Sequence, residues 1–406
     1  MDSLITAAAG ALSAGDPLAA LKRVALRDDP PALALRGIAM AQLGDLARAR
    51  DLLRRAARAF GSNEPIAQAR CVLAEAEIAL VSRDLGRSLD RLSKARVVLD
   101  NAGDPVNAAH AGYLEARRLL LIGRIDEAEQ VLESVDPSVL PPASTIGFEL
   151  VASGLAMRRV RTEPAYAALA RAEDAARHLK IPALLAEVEQ ARRALDSPPA
   201  RLVTGQNGRL IGLQEVEALL ASRTLVVDTF RNMLRAGSIT IPLSSRPVLL
   251  SLLRALAEAW PKDVPRETLL RRAFQARHAD ESHRARLRVE IARLREAIAP
   301  LALLNATGRG YALHPIRPEE VVVLAPPVES DHAEVLALLA DGEAWSSSAL
   351  AQALGVSART VQRSLRELVE ADKIEAFGRG RACRWVAKSV PGFPTSLLLP
   401  AAGLSG

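Results

Sequence analysis

The fold is decided by Ser282–Leu313, which reads SHRARLRVEIARLREAIAPLALLNATGRGYAL. Apolar residues recur in its first half at spacings of four, three and four, at Leu287, Ile291, Leu294 and Ile298. That spacing predicts an amphipathic helix that buries one stripe, and Pro300 predicts its end because proline cannot continue a helix. Two short apolar runs on either side of residues 307–310 predict a β-hairpin directly after it.

The same stretch is rich in arginine, and its arginines lie off the apolar stripe. A helix held to a core by its leucines therefore presents guanidinium groups to solvent, and the hairpin turn adds Arg309. A winged helix binds DNA with this arrangement: a basic helix enters the major groove and a basic hairpin follows the backbone. An ordinary solvated surface helix is the alternative. The helix arginines are Arg284, Arg286, Arg288, Arg293 and Arg295.

Positive charge is concentrated around this stretch. Residues 240–317 contain fourteen lysines and arginines against seven acidic residues, whereas residues 1–239 contain thirty-one against twenty-nine. A positive field confined to one part of a chain is the electrostatic footprint of phosphate binding. The charge distribution therefore supports a nucleic-acid partner, and double-stranded DNA is the partner that a winged helix implies.

Length and composition place the chain among globular proteins with several domains. Its 406 residues exceed what one hydrophobic core serves, and the excess of alanine and leucine over aromatic residues favours a mainly α fold. No apolar run is long enough to span a membrane, and the first residues lack the basic segment of a signal peptide. The expected localisation is therefore cytoplasmic, in association with the nucleoid.

Residues 1–196 contain a degenerate repeat. GDLARA at residue 44 recurs as RDLGRS at residue 83 and as GRIDEA at residue 123, at offsets of 39 and 40 residues, and a weaker copy begins at Thr162. Segments rich in alanine and leucine lie on both sides of each copy, as in Ala32–Leu43 and Leu46–Phe60, and predict helices. Helix-turn-helix units repeated at this period predict an α-solenoid, with a plain helical bundle as the alternative.

The first copy, GIAMAQLGDLARARDLLRRA from residue 37, resembles a tetratricopeptide repeat. Small residues lie where that family packs its helices closely, although the repeat period here is longer than the family's. The resemblance implies a concave surface for a protein or peptide partner, and no catalysis. The repeats are therefore expected to bind such a partner or to hold a homodimer together. The small residues are Gly37, Ala41, Gly44, Ala49 and Ala56.

Residues 225–317 are predicted to form a winged-helix domain around the opening stretch. Short β-type runs come first, helix one follows at Arg246–Trp260, and helix two at Pro265–Phe274 starts with a proline, which a first helical turn tolerates. This order resembles the DNA-binding domain of OmpR-type response regulators over Leu225–Leu313. The resemblance rests on LSSRP at residue 243, VPRE at residue 264, RVEIARLR at residue 288 and GRGYAL at residue 308.

The OmpR-type resemblance assigns roles to individual residues. It implies that Arg293 and Arg295 contact phosphates or bases, that Arg309 contacts DNA from the wing, and that the loop Gln275–Glu281 meets RNA polymerase. Two features depart from the family. Glu290 lies where a residue facing the groove is expected, and a carboxylate repels phosphate although it accepts a hydrogen bond from cytosine. Helical repeats precede the module in place of a receiver domain, so aspartyl phosphorylation is not implied.

Residues 331–388 are predicted to form a second winged helix. Serines at 346–348 provide a helix N-cap, and Ala351, Gly355 and Val361 occupy the small, turn and core positions of a helix-turn-helix. The segment LAQALGVSARTVQRSLRELVEADKI, from residue 350, resembles DeoR-type winged-helix repressors. A winged helix used only for dimerisation is the alternative.

The second helix of this module is predicted at Ser357–Ala371, with Val361, Leu365 and Leu368 turned inward. Its outward side chains are of types that read base edges or bind phosphate, and a basic hairpin tip follows it. Residues 197–224 and 318–330 remain as linkers, with a small hairpin and a helix at Glu215–Leu220 expected in the first and a strand at Val321–Leu324 in the second. Residues 389–406 form a tail. The predicted DNA contacts of the second module are Ser357, Arg359, Thr360, Gln362, Arg363, Arg366, Arg379 and Arg381.

Catalytic chemistry is not indicated by the sequence. His278 and His283 flank two acidic residues, but a zinc site needs three or four ligands and no further ligand lies nearby. Cys71 and Cys383 fit no disulfide framework or metal motif. No cofactor is therefore expected. The favoured interpretation is a sequence-specific transcriptional regulator, and the alternatives are a protein-interaction scaffold and a protein that binds DNA without reading its sequence.

Overall fold

The computed structural model describes residues 2–82, 89–205, 207–229, 231–274, 281–317, 320–327, 332–339, 344–378, 380 and 383–387. The chain is mainly helical, with small β-sheets in its C-terminal half, which confirms the mainly α prediction. Among the described helices, none is long and apolar enough to cross a membrane. The chain divides into two compact units. Unit 1 comprises the described residues of Met1–Arg159, Glu163–Ala194 and Glu334–Gly406, and unit 2 those of Val160–Thr162 and Leu195–Ala333.

The N-terminal part of the chain forms the helices α1 to α11. Several of them start at proline, whose missing N–H is no loss in a first helical turn. Aspartate side chains cap four of these helices, three of which also start at proline: Asp16, Asp29, Asp45 and Asp104 each accept a hydrogen bond from the backbone N–H three residues further on. The bounds are α1 Ser3–Ser13, α2 Pro17–Val24, α3 Pro30–Gln42, α4 Leu46–Phe60, α5 Pro65–Val81, α6 Leu89–Asn101, α7 Pro105–Leu121, α8 Ile125–Glu133, α9 Pro142–Arg158, α10 Thr162–Leu179 and α11 Pro182–Asp196.

Helices α3 to α9 pack mainly against their neighbours in sequence. Each contacts the next along the chain, and α3, α5, α7 and α9 also contact one another in that order. The predicted helical segments at residues 32–43 and 46–60 are present as α3 and α4. Gly44 and Gly123 adopt positive φ in the turns after α3 and α7, a conformation that glycine adopts without steric cost. Contacts between nearby helices are typical of stacked helical hairpins.

Small residues bring α3 and α4 close together. A β-carbon on Gly37 would lie 2.8 Å from Cγ of Leu53 and 3.2 Å from the carbonyl oxygen of Ala49, too close for any side chain to fit without a shift. Ala49 and Ala56 are themselves fully buried on α4. These residues therefore pack the two helices closely.

Unit 2 contains two β-sheets and four helices within its described residues. The larger sheet has the strand order β2-β1-β9-β3-β4-β5, and the smaller has the order β6-β8-β7. The elements are β1 Ala200–Thr204, β2 Asn207–Ile211, α12 Leu213–Ala221, β3 Leu225–Asp228, β4 Met233–Ala236, β5 Ile239–Pro242, α13 Pro247–Ala259, β6 Val264–Pro265, α14 Arg266–Phe274, α15 Glu281–Ile298, β7 Ala302–Ala306, β8 Gly310–Pro315 and β9 Val321–Ala325.

The larger sheet includes strands from both segments that were predicted to be linkers, and the expected hairpin and the expected strand at Val321–Leu324 are present in them. Strands β1 and β2 lie within residues 197–224, and β9 lies within residues 318–330. Strand β9 lies in the middle of the sheet, where it pairs antiparallel with β1 and parallel with β3. All five residues of β9 are buried. The folded module therefore extends from residue 200 to residue 325, beyond the predicted bounds of 225–317.

The chain then returns to unit 1 and forms α16 Ala333–Leu339, α17 Ser347–Leu354, α18 Ala358–Glu370 and the hairpin β10 Ile374–Phe377 with β11 Arg384–Ala387. Buried residues of this C-terminal module share one hydrophobic cluster with buried residues of α5 to α9. Trp345, Leu350 and Leu365 are among its fully buried members. A module with three short helices has little core of its own, and the shared cluster supplies the missing apolar contacts.

Candidate nucleic-acid interface

Helix α15 has the two faces that its sequence predicts. Leu287, Ile291, Leu294 and Ile298 are all at most 2% exposed and belong to the core of unit 2. Burying each such side chain stabilises the fold by about 1.5–3 kcal/mol. The helix ends at Ile298, before Pro300, as predicted. The arginines at 284, 286, 288, 293 and 295 are all exposed.

Arginines of α15 also make contacts within the protein. The Nη1 atom of Arg293 lies 3.0 Å from a carboxylate oxygen of Glu290, and the Nε–H of Arg295 donates to the carbonyl oxygen of Leu304 over 3.0 Å. The guanidinium carbon of Arg286 lies 4.8 Å from the ring centroid of Phe274. Glu290, which the sequence analysis placed at the groove, thus neutralises part of the charge of Arg293.

The turn that carries Arg309 is braced by its surroundings. The Thr307 hydroxyl donates to a carboxylate oxygen of Asp263 over 2.6 Å and accepts from the N–H of Gly310 over 2.9 Å. Arg266 donates to the carbonyl oxygens of Thr307 and Gly308 over 3.3 and 3.2 Å. Arg309 itself is exposed in this turn. The predicted hairpin is present as β7 and β8, with a basic residue at its tip.

A cavity of about 430 Å³ lies beside α15 at the start of α13. Two arginines and two glutamates contribute to its lining, so their formal charges cancel. A site for an anion such as phosphate needs a net positive or donor-rich lining. This hollow therefore adds no phosphate site to the arginines of α15. The charged lining residues are Arg246, Glu290, Arg293 and Glu296.

Helix α18 has a buried apolar face and an exposed polar face. Val361, Leu365 and Leu368 are at most 1% exposed and join the core of unit 1. On the opposite side the side chains of Arg359, Gln362, Arg363 and Arg366 are exposed. Within the described residues, those of Arg359, Gln362 and Arg366 make no hydrogen bond or ion pair, and Arg363 lies 4.0 Å from Glu367. Arginine side chains of this kind donate hydrogen bonds to the edge of guanine, and glutamine pairs with the edge of adenine.

The turn before α18 has the local structure that a helix-turn-helix needs. Ser346 caps α17 by accepting from the N–H of Ala349, as predicted for this serine cluster. Gly355 ends α17 in the left-handed conformation with φ of 65°. The N–H of Val356 then donates to the carbonyl oxygen of Ala351. Only Val356 and Ser357 separate Gly355 from the start of α18 at Ala358, so α17 fixes where α18 starts.

Two of the residues predicted to contact DNA have a structural role. Ser357 is the N-cap of α18, and its hydroxyl accepts from the N–H of Thr360 over 3.2 Å. The hydroxyls of Ser357 and Thr360 also lie 2.9 Å apart, within hydrogen-bond distance. Both hydroxyls are thus engaged in the first turn of the helix. Ser357 and Thr360 shape the start of the exposed face, and the four longer side chains form it.

Some predicted sites lie outside the described residues. These are the wing-tip residues Arg379 and Arg381 and residues 275–280 of the loop expected to meet RNA polymerase; Glu281 is the first residue of α15. His278 also lies outside, and His283 lies on α15 with its ring 6.2 Å from the ring of Phe274. In the described part of the chain, no group of three or more histidines, cysteines or acidic residues is placed to hold a metal ion.

A buried polar cluster between α5, α7 and α9 was not anticipated from the sequence. His110 is fully buried, with Nε2 3.4 Å from a carboxylate oxygen of Glu77 and Nδ1 3.2 Å from the hydroxyl of Ser144. The ring of Tyr113 packs edge-on against the His110 ring. Burial and the nearby carboxylate of Glu77 raise the pKa of the Tyr113 phenol well above its usual value. No local motif marks this cluster, because each helix contributes one or two residues.

Comparisons with known proteins add no relative to this description. No model of a known protein family matches the chain. No curated protein and no solved structure is similar to it either. The function is therefore inferred from the side chains of α15 and α18 and from the module that carries each helix.

Proposed function

We propose that this chain is a transcriptional regulator that binds double-stranded DNA and reads its sequence with α18 and α15. The observation that carries the proposal is the division of α18 into a buried apolar stripe and an exposed face with three arginines and a glutamine. Phosphate contacts supply affinity through the release of counterions. Contacts to base edges in the major groove supply specificity.

Helix α15 and the hairpin after it support the same function for unit 2. The exposed arginines of the helix and Arg309 at the braced turn place positive charge on two adjacent elements of one module. On this proposal both modules are winged helices, of OmpR type in unit 2 and of DeoR type at the C-terminal end of unit 1. A protein of this kind works in the cytoplasm, at the nucleoid.

The helices α1 to α11 are proposed to form a solenoid of tetratricopeptide-like hairpins. The contacts of α3 to α9 with nearby helices and the glycine turns after α3 and α7 support this assignment. Such a surface binds a protein or peptide partner, or holds two copies of the chain together. It gives the regulator its input, and an enzymatic role is not proposed.

The function is tested by selection of bound duplexes from sheared genomic DNA with the full-length protein, followed by affinity measurements on the selected and a scrambled duplex. We expect the selected duplexes to share a motif. Arg363→Ala then lowers affinity for the selected duplex by about 5- to 150-fold, the effect of one lost bidentate base contact, and leaves the scrambled duplex unaffected. Arg58→Ala is the matched control, because Arg58 is an exposed arginine on α4, outside both helices.

The alternatives give different results in the same experiment. A protein that compacts DNA binds with a steep salt dependence and yields no shared motif. A scaffold protein binds neither duplex, and its partners are then sought on α1 to α11. An equal loss of affinity for both duplexes in Arg363→Ala identifies Arg363 as a phosphate contact.

A further inference from the structure

The chain enters unit 2 and leaves it through two adjacent strands. The first strand of unit 2, β1, and its last strand, β9, pair antiparallel, with Arg201 opposite Ala325 and Val203 opposite Val323. The chain thus leaves unit 1, folds unit 2, and returns from a point beside the one where it entered. This is the connectivity of an inserted domain, which is held to its host by two connections.

The two connections are short. Three residues separate the end of α11 at Asp196 from the start of β1 at Ala200. Fully extended, that segment spans at most about 14 Å. Seven residues separate the end of β9 at Ala325 from the start of α16 at Ala333, for which the limit is about 28 Å. A second binding event within such a tethered pair proceeds at a millimolar effective concentration.

Each unit carries one of the two basic helices, and their exposed faces differ. Helix α18 of unit 1 offers arginines and a glutamine, whereas the exposed face of α15 of unit 2 combines its arginines with Glu296. Glutamine pairs with adenine, arginine with guanine, and a carboxylate accepts from cytosine. Because the faces differ, the base sequences that they prefer differ as well.

We propose that one chain binds one bipartite, non-palindromic DNA site, with α18 on one half and α15 on the other. This inference rests on the proposed function and specifies its target. Palindromic sites match the two-fold symmetry of a homodimer that presents the same helix twice. A chain with two unlike helices on two short connections satisfies both halves alone, and the tethering raises its affinity above that of either helix.

The test uses the full-length protein and the duplex selected above. We expect two unlike sequence blocks at a fixed spacing and one chain per duplex in analytical ultracentrifugation. Footprinting assigns the blocks: Arg363→Ala loses protection of one block, and the double variant Arg284→Ala with Arg288→Ala loses protection of the other. Insertion of five base pairs between the blocks turns one half to the opposite side of the duplex and lowers affinity at least tenfold. Unchanged thermal unfolding shows that the variants remain folded.

Three results overturn the inference while the proposed function stands. They are a single uninterrupted motif that the double α15 variant binds normally, a palindrome occupied by two chains, and affinity that is indifferent to the inserted base pairs. Absence of any shared motif instead contradicts the proposed function itself, so the two failures are distinguishable.

Discussion

Gly310 faces the backbone of Val264 so closely that a β-carbon on Gly310 would lie 1.8 Å from the Val264 carbonyl oxygen. The contact joins β8 to β6, where Val264 pairs with Tyr311 and Pro265 with Gly310. Any side chain at position 310 must push these strands apart. The turn end of the hairpin, which carries Arg309, therefore depends on this glycine.

Gly310→Ala is expected to destabilise unit 2 by about 3 kcal/mol, because overpacking against backbone leaves little room for relaxation. Gly308→Ala is the matched control: Gly308 lies in the same turn, a β-carbon on it would meet no atom within 4 Å, and its φ is not positive. Thermal unfolding of both variants measures the difference. Equal stability of the two variants contradicts the packing at Val264.

The cap of α18 predicts a second effect. Ser357→Ala removes the hydroxyl that accepts from the Thr360 N–H and is expected to cost about 1 kcal/mol of unfolding free energy in urea. Ser357→Asn retains a capping oxygen and is expected to lose less. If Ser357→Ala and Ser357→Asn lose the same free energy of unfolding, the Ser357 hydroxyl does not cap α18, and the hydrogen bond assigned to it is contradicted.

Tyr113 predicts a dependence of stability on alkaline pH. Its folded-state pKa is raised well above 10.0 by burial and by Glu77. As the pH rises through 10 the phenol of the unfolded chain ionises and that of the folded chain does not, so its contribution to stability falls. Tyr113→Phe is expected to reduce this loss between pH 9 and pH 11, relative to its own stability at pH 8. Equal slopes for the wild-type protein and Tyr113→Phe would contradict the buried, neutral phenol.

The antiparallel pairing of β1 with β9 predicts that unit 2 is removable. Paired residues on adjacent strands have Cα atoms about 5 Å apart, so a short glycine-serine linker in place of residues 200–325 rejoins the chain. The shortened protein is expected to keep its helical circular dichroism and cooperative unfolding. Loss of cooperative unfolding would mean that unit 1 requires unit 2 for its own core.

Local sequence patterns predicted the helices and the hairpin of the candidate interface. They did not predict which distant strands pair with each other. The spacing of Leu287, Ile291 and Leu294 fixes the buried face of α15, because helix periodicity is a property of neighbouring residues. The pairing of Arg201 with Ala325 joins segments more than a hundred residues apart, and neither segment signals its partner. A hairpin and a strand were expected in these two segments, but their pairing was not, so both segments were assigned to linkers.

The C-terminal module shows the same limit in another form. Its helix-turn-helix was predicted from Ala351, Gly355 and Val361, and the expected helices are present. Its place in the core of α5 to α9 was not predicted, since the apolar residues that join them also satisfy the pattern of an independent domain. The polar contacts of His110 could not be predicted for a similar reason, because their partners Glu77 and Ser144 lie on different helices.

The core that α17 and α18 share with α5 to α9 has a consequence for synthesis of the protein. A ribosome completes α9 and must then translate all of unit 2 before α17 exists, which takes about 10 to 40 s at 5–20 residues per second. During that interval the apolar surface of the nascent helices stays uncovered while unit 2 folds. A chain that terminates early keeps this surface exposed, so quality control can distinguish a truncated product from a finished one.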